Sequence, residues 1–216
     1  MSALRYIADN WDTLGPEALT QVRIVLIVVV LAAAAGIPLG VVGVRRERFG
    51  ELSLAVASAI LTIPSFALFV VLRQALLAFG DPPVIAGLAL YALLPMIRNT
   101  RAGIRGVDAA VLEAARGMGM RPRQVLLRVE LPLALPVIVG GLRQATVMVV
   151  AIATVGAVVG SNNLGQTILE GINSGNRDVI LGGVIPVAVI GVTADLVLAA
   201  AQRLLDRGRA VAVVAA

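Results

Sequence analysis

Long apolar blocks dominate the pattern of hydrophobic and polar positions along the chain. Residues 24–44 and 52–72 each give 21 consecutive positions without a charged side chain. A helix rising 1.5 Å per residue needs about 20 apolar residues to cross a hydrocarbon core about 30 Å thick. Three further blocks, at 82–98, 133–160 and 179–205, carry charge inside them or at one end. The pattern therefore predicts an all-α, polytopic membrane protein with five transmembrane helices.

Composition supports this prediction and excludes several chemistries. Hydrophobic residues make up 59% and charged residues 14% of the 216 residues, against about 45–50% and about 25% in an average soluble domain. All 18 basic residues are arginine, and histidine and cysteine are absent. A Walker motif needs its lysine, a histidine-dependent triad its imidazole, and disulfides or Cys/His zinc sites their ligands. We therefore expect no catalytic residue, no metal site and no cofactor on this chain.

The arginines also predict the orientation, because Arg-bearing loops stay in the cytoplasm. With the N-terminus outside, most arginines fall after the first, third and fifth spans, which are then the cytoplasmic segments. Residues 1–23 become an external segment, predicted as an interfacial helix anchored by Tyr6 and Trp11. Residues 206–216 become a cytoplasmic tail. No cleavage site of the signal-peptide type precedes the first span, so we expect this span to be retained.

The longest predicted cytoplasmic loop, 99–132, has the pattern helix, glycine turn, helix. Its predicted parts are a helix over 109–116 capped by Asp108, a break at Gly117 and Gly119, and a second helix over 123–129 that follows Pro122. Glu113 stands beside Ala114 and Ala115, so another protein's backbone could approach the small side chains while the carboxylate binds a basic group. A solvated amphipathic loop is the alternative interpretation.

The same loop carries a resemblance to a known family. Glu113-Ala114-Ala115 is followed at fixed spacing by Gly119, Val129, Leu131 and Pro132. This resembles the EAA motif of the inner-membrane permease subunits of ABC importers, where Ile often stands in place of Val129. The segments 63–69, 90–108 and 113–138 are similar to permeases for glycine betaine, carnitine, choline and related osmoprotectants.

The resemblance implies a MetI-like permease in the bacterial inner membrane. Its implied partners are a second permease subunit (identical or homologous), a cytoplasmic ATPase dimer and an extracytoplasmic substrate-binding protein, with no nucleic acid. The residues implied to couple the permease to the ATPase are Glu113, Ala114, Ala115, Gly117, Gly119, Val129, Leu131 and Pro132. The EAA motif reports the ATPase contact and not the solute. An amino acid or another small polar solute is therefore the alternative cargo.

Polar residues within and beside the spans are candidates for the pathway. An intramembrane charge needs a partner or a wet cavity, so Arg143 and Asp195 are predicted to pair between the fourth and fifth spans. A direct role in permeation is the alternative for this pair. The further candidates for the pathway or its gate are Pro64, Ser65, Gln144, Thr154, Ser161, Asn162 and Asn163. Pro64 is also expected to interrupt the second helix.

The external segment 161–176 departs from the usual pattern of the family. The relatives usually read Gly-Ala-Gly-Gly-Leu-Gly where this chain has Gly-Ser-Asn-Asn-Leu-Gly at 160–165. Asparagine tolerates left-handed backbone better than most residues, so we expect the turn to survive. A plain connector needs about 2–8 residues, so the longer segment is predicted to form a turn and helix that act as an outer gate. A surface connector is the alternative.

Overall fold

The computed structural model describes residues 3–214 of the chain, with side chains for residues 3–205, and this part contains helices and no strand. The helices are α1 (Ala3–Asp9), α2 (Trp11–Arg45), α3 (Glu47–Thr62), α4 (Ser65–Leu76), α5 (Asp81–Arg105), α6 (Ala109–Gly117), α7 (Pro122–Val125), α8 (Leu131–Ala153), α9 (Gly165–Ser174) and α10 (Arg177–Val214). A π-helical turn (Leu126–Glu130) joins α7 to α8, and a 3₁₀ turn (Thr154–Val159) extends α8. The all-α prediction is confirmed.

Four helical runs of the described chain are long and apolar enough to cross a membrane, and a bent pair supplies a fifth crossing if it counts as one span. The four runs are 11–45, 81–105, 122–159 and 177–205. The pair is α3 and α4, which meet at an angle of 101°. The predicted span 52–72 is therefore not a continuous helix but a bent pair of helices, as in a broken span or a re-entrant loop.

The break between α3 and α4 has a local cause. Proline disfavours helical backbone at the residue before it, and Ile63 before Pro64 is extended, with φ −69° and ψ 129°. A broken helix at membrane depth frees backbone groups that need partners inside the protein. The hydroxyl of the buried Tyr91 on α5 donates to the carbonyl of Ile63. The expected interruption at Pro64 is present, and α5 compensates for it.

The first spanning helix begins earlier than predicted. Helix α2 starts at Trp11, so residues 11–23 belong to the same helix as the first apolar block. Glu17 and Gln21 lie on its buried side. The Thr167 hydroxyl donates to Glu17 at 2.7 Å, and the Gln21 amide donates to the carbonyl of Val150 at 2.8 Å. These hydrogen bonds satisfy the two polar side chains, which allows this part of α2 to pack inside the subunit.

Helices α2, α5 and α8 form the centre of the subunit, and glycines let them approach closely. A Cβ added at Gly36 or Gly40 of α2 would lie 2.5 Å from the Cβ of Met96 or Thr100 on α5. Small residues commonly permit such contacts between membrane helices. Helix α10 packs along α8 and α9, but of its apolar side chains in the described part only Ala199 is buried. One side of the subunit is therefore tightly packed, and the α8–α10 side is open.

Candidate functional site

Three places gather the predicted site residues: an elbow between α5 and α8, an ion pair between α8 and α10, and a cap at the far end of α8. The elbow, defined here as residues 108–130, has the predicted order of helix, glycine turn and helix. The backbone N–H of Ala110 donates to the side chain of Asp108 at 2.8 Å and caps α6. Gly119 adopts φ +77°, a conformation that L side chains rarely take. The sequence predicted this local structure correctly.

The elbow exposes part of the EAA motif and buries the rest. Glu113 and Ala114 are exposed, and Glu113 has no hydrogen bond or ion pair with any residue that the structure describes. Ala115 is only 2% exposed. Ala115 was predicted on the approach face together with Glu113, and this is wrong, because its methyl group packs inward. Of the three residues Glu113, Ala114 and Ala115, the first two are therefore free to meet another protein.

The second half of the motif lies on a continuous helix and not in a loop. Helix α7, the π-helical turn and α8 run without a break from 122 to 159, so the predicted boundary between loop and span at 132/133 is absent. Val129 lies in the π turn, and Leu131 and Pro132 begin α8. π turns occur often at functional sites. A displacement of the elbow therefore passes directly into the fourth span.

Sequence reasoning missed the residue that ties the elbow to the first span. Glu130 ends the π turn with its side chain 3% exposed, and it accepts a hydrogen bond from the Arg45 guanidinium at the end of α2. A cavity of about 310 Å³ beside this pair is lined by Arg45, Arg116, Met120, Pro122, Val125 and Glu130. Two features of the sequence could have indicated this pair. Glu130 is a single carboxylate at the start of an apolar run, and Arg45-Arg46 follow the first apolar block.

The predicted intramembrane pair is present. The Arg143 Nε and Nη2 atoms of α8 donate to the two carboxylate oxygens of Asp195 on α10, with Nη2 to Oδ2 at 2.8 Å. The two side chains remain 39% and 30% exposed. They line a cavity of about 480 Å³ together with Gly140, Gln144, Val147 and Met148. The pair thus joins two helices and also faces open space.

The cap at the far end of α8 is held by Ser161 and Asn163, both of which are fully buried. The Asn163 amide donates to the carbonyl of Ala153 at 2.8 Å, and its oxygen accepts from the N–H of Gly165 at 2.8 Å. The Ser161 hydroxyl donates to the carboxylate of Asp81 at 2.8 Å. Neither side chain reaches the surface of the subunit. Their burial therefore gives no support to a role in lining the pathway.

The backbone of this cap also differs from expectation. Asparagine was expected to take up left-handed backbone, but the only non-glycine residue with positive φ in the described chain is Leu77. Gly160 takes the left-handed position, with φ +92°, and Asn163 acts through its side chain. A turn and a helix do follow, as predicted, since α9 covers Gly165–Ser174.

The remaining candidates lie apart from one another. Pro64 is exposed and Ser65 half-buried at the break between α3 and α4. Gln144 is exposed in the cavity of the intramembrane pair. The Thr154 hydroxyl donates to the carbonyl of Ala151 at 2.8 Å, and Asn162 is exposed at the outer cap. Gln144 alone joins the Arg143–Asp195 site.

A helical membrane protein with a protruding elbow and an open cavity bordered by an ion pair between two helices has features expected of a transport subunit. The family described as "Binding-protein-dependent transport system inner membrane component" matches residues 18–211. The chain belongs to this family. It is therefore an inner-membrane permease of a transport system that also uses a binding protein and a separate ATPase subunit, and it is not an enzyme. The predicted class and location are confirmed.

Relatives in several bacteria share most of the chain. It is 38% identical to the carnitine transport permease protein OpuCD of Listeria monocytogenes, over 95% of this chain and 94% of that protein. It is 45% identical to the glycine betaine/carnitine/choline transport system permease protein OpuCD of Bacillus subtilis, over 82% and 78%. It is 34% identical to the osmoprotectant import permease protein OsmW of Salmonella typhimurium, over 92% and 94%.

Solved structures with a similar fold are ABC transporter permeases. An inward-facing structure of the MetNI methionine ABC transporter matches with a TM-score of 0.80, covering 91% of this chain and 97% of that chain at 21% identity. An amino acid ABC transporter with histidines matches with a TM-score of 0.73 at 16% identity. These matches confirm the predicted MetI-like fold.

Proposed function

We propose that this chain is the permease subunit of an ATP-driven importer for quaternary-ammonium osmoprotectants of the glycine betaine, carnitine and choline type. The observation that carries the proposal is the 45% identity to a permease named for these three solutes. Relatives named for carnitine and for osmoprotectants cover still more of the chain. An amino acid is the second candidate cargo, favoured only by the fold that the chain shares with amino acid transporters.

Uptake by the reconstituted system tests this proposal. The permease, its ATPase and its binding protein would be placed in proteoliposomes and supplied with radiolabelled glycine betaine, carnitine, choline and proline. We expect ATP-dependent uptake of at least one quaternary ammonium compound, suppressed by an excess of the unlabelled compound. Uptake of proline alone would favour the amino acid alternative.

The exposed edge of α6 is proposed as the contact with the ATPase. Glu113 offers an unpaired carboxylate beside the small Ala114, which suits a basic groove that closes on the helix. Motion of α6 would reach α8 through the continuous helix, and α2 through the Arg45–Glu130 pair. The two spans would then move together when the ATPase closes.

Charge reversal at the elbow tests this contact. Glu113→Lys should leave the protein in the membrane but abolish stimulation of ATP hydrolysis by the loaded binding protein. Glu51→Lys is the matched control, because Glu51 is also an exposed carboxylate on a helix that starts next to the Arg45 end of α2. Wild-type stimulation of ATP hydrolysis in Glu113→Lys would contradict the proposed contact. An equal loss of stimulation in Glu113→Lys and Glu51→Lys would also contradict it.

The orientation with the N-terminus outside is proposed from the distribution of arginine. The chain has no cysteine, so single cysteines can report accessibility without background. Cysteines in place of the exposed Asn162 and Asn173 should react with an impermeant maleimide from outside, and one in place of Arg121 should not. Ser161 is unsuitable because it is fully buried. The reverse labelling would overturn the orientation.

Helix α9 is proposed as part of the outer gate. It packs tightly on α10, since a Cβ at Gly171 would lie 2.6 Å from the backbone nitrogen of Ile180. The opposite side of α9 exposes Ile172 and Asn173. Any tilt of α10 would therefore carry α9 with it. Cross-linking a cysteine at Ile172 to the second permease subunit should block uptake while ATP still binds, and undiminished uptake would leave α9 a passive connector.

A further inference from the structure

The ion pair between α8 and α10 lies deep in the membrane-spanning helices. At least ten residues separate Arg143 and Asp195 from the nearest end of the span that carries each of them, which is about 15 Å of helix. Charged groups at this depth face protein or a water-filled cavity, because exposure to lipid is too costly. The side chains are nevertheless 39% and 30% exposed in the subunit. We therefore expect the open face of this pair to meet protein or water and not lipid.

The pair keeps unused hydrogen-bonding capacity on both sides. A guanidinium has five N–H donors, and an ionised carboxylate has about four acceptor positions. Arg143 uses Nε and one N–H of Nη2 on Asp195. No other side chain or carbonyl in the described chain accepts from Arg143 or donates to Asp195. The other edge of the guanidinium and the outer lone pairs of the carboxylate remain free.

The surrounding cavity suits a small polar guest. It has a volume of about 480 Å³, and Gly140 and Val147 line it together with Met148. The exposed amide of Gln144 adds one neutral donor and one acceptor beside the guanidinium. No aromatic ring lines the cavity among the described residues. A quaternary ammonium bound there would lack an aromatic cage, so the site suits brief occupation more than storage.

We propose that the Arg143–Asp195 pair is an intramembrane binding site for a small zwitterion that carries a carboxylate. The free edge of Arg143 takes the carboxylate, Asp195 takes the cationic end, and Gln144 hydrogen-bonds the carboxylate from the side. The zwitterion lies antiparallel to the pair, with its carboxylate beside Arg143 and its cation beside Asp195. Both protein charges therefore stay neutralised while it passes. This inference rests on the proposed function and refines it. Zwitterions such as glycine betaine are favoured here over choline, which has the cation but no carboxylate.

The decisive variant removes both charges at once. Arg143→Gln with Asp195→Asn leaves no unpaired charge in the membrane, so the helices can still pack. Direct binding of glycine betaine and of choline would be followed by saturation-transfer NMR on the permease–ATPase complex in nanodiscs, without the binding protein. The wild type should give a stronger signal for glycine betaine than for choline. The double variant should lose this preference.

Uptake supplies the second readout and a control. The ratio of glycine betaine to choline transport should fall at least 10-fold in the double variant. It should not change when an ion pair outside the spans is neutralised by Arg5→Gln with Asp9→Asn. An unchanged ratio and an unchanged NMR signal in the Arg143/Asp195 variant would show that the pair only holds α8 against α10.

The same experiment separates this inference from the proposed cargo. If the wild type takes up an amino acid and no quaternary ammonium compound, the proposed function fails. The site is then tested with that amino acid against its decarboxylated amine, which differ in the same carboxylate. Loss of discrimination in the double variant would support the site, and retained discrimination would overturn it.

Discussion

Two ion pairs in this permease each join an arginine to a carboxylate and differ in their surroundings. The Glu130 side chain is 3% exposed in its pair with Arg45, whereas the Asp195 side chain is 30% exposed in its pair with Arg143. The first pair is enclosed between the end of α2 and the elbow. The second borders an open cavity between α8 and α10. A nearly buried carboxylate depends strongly on its one partner, while a more exposed one can exchange partners.

The contrast assigns different consequences to the two pairs. Removing one partner of a buried ion pair leaves an uncompensated charge, and the folded state bears the cost. At the open pair, water or a polar guest can take the place of a lost partner. Substitution at Arg45–Glu130 should therefore act mainly on stability, and substitution at Arg143–Asp195 mainly on transport.

The largest effect is expected from Arg45→Ala. It leaves the enclosed Glu130 carboxylate unpaired, which should cost about 3–5 kcal/mol of unfolding free energy. Glu130→Ala should cost less, because the Arg45 side chain is 46% exposed and can be hydrated. Melting temperatures of the detergent-solubilised protein measure both effects. Replacing both partners by apolar residues of similar size, Arg45→Met with Glu130→Leu, should restore much of the loss. Equal melting temperatures for Arg45→Ala and the wild type would contradict the enclosed-pair interpretation.

An intermediate effect is expected at the outer cap, where the buried polar groups are neutral. Asn163→Ala leaves the carbonyl of Ala153 and the N–H of Gly165 without their partner. Each buried group left unsatisfied costs about 1–3 kcal/mol. Asn162→Ala is the matched control, because Asn162 is exposed and its loss should stay within about 0.5 kcal/mol. Similar melting temperatures for the two variants would show that Asn163 does not hold the cap.

The sequence predicted the helices and their chemistry better than it predicted burial. Apolar block length was enough for four helices long enough to span a membrane and for the bent pair that could supply a fifth, because a bilayer imposes a fixed helix length. The free-energy cost of a lone charge inside the membrane was enough to predict that Arg143 and Asp195 pair. Capping residues and glycines were enough for α6 and the turn after it. In each case a local rule or a strong energetic penalty left few alternatives.

The sequence failed where the outcome depends on which side of a helix meets which neighbour. Ala115 and Glu130 both lie in the elbow, yet one was predicted exposed and the other received no role. Both are buried, Ala115 on the inward side of α6 and Glu130 at the end of the π turn. Asn163 was assigned to the pathway because polar residues near a membrane mouth suggest function. Its hydrogen bonds to residues 2 and 10 positions away show that it closes a turn.

The smallest effect is expected at the two glycines of the elbow, which differ in backbone conformation. Gly119 has φ +77°, while Gly117 is the last residue of α6, and no atom lies within 4 Å of a Cβ built at either. Gly119→Ala should therefore cost about 1–2 kcal/mol through left-handed backbone strain alone. Gly117→Ala should be neutral or stabilising by up to about 1 kcal/mol, since alanine favours helix.

Coupling should follow the same order at these two positions. Strain at Gly119 alters the angle between α6 and α7. Gly119→Ala should therefore reduce the stimulation of ATP hydrolysis by the loaded binding protein by more than the loss of folded protein alone would explain. Gly117→Ala adds a methyl group in open space and should leave stimulation close to wild type if this side of α6 stays free. Loss of stimulation in Gly117→Ala at an unchanged melting temperature would instead place Gly117 in the contact with the ATPase and widen the docking edge beyond Glu113 and Ala114.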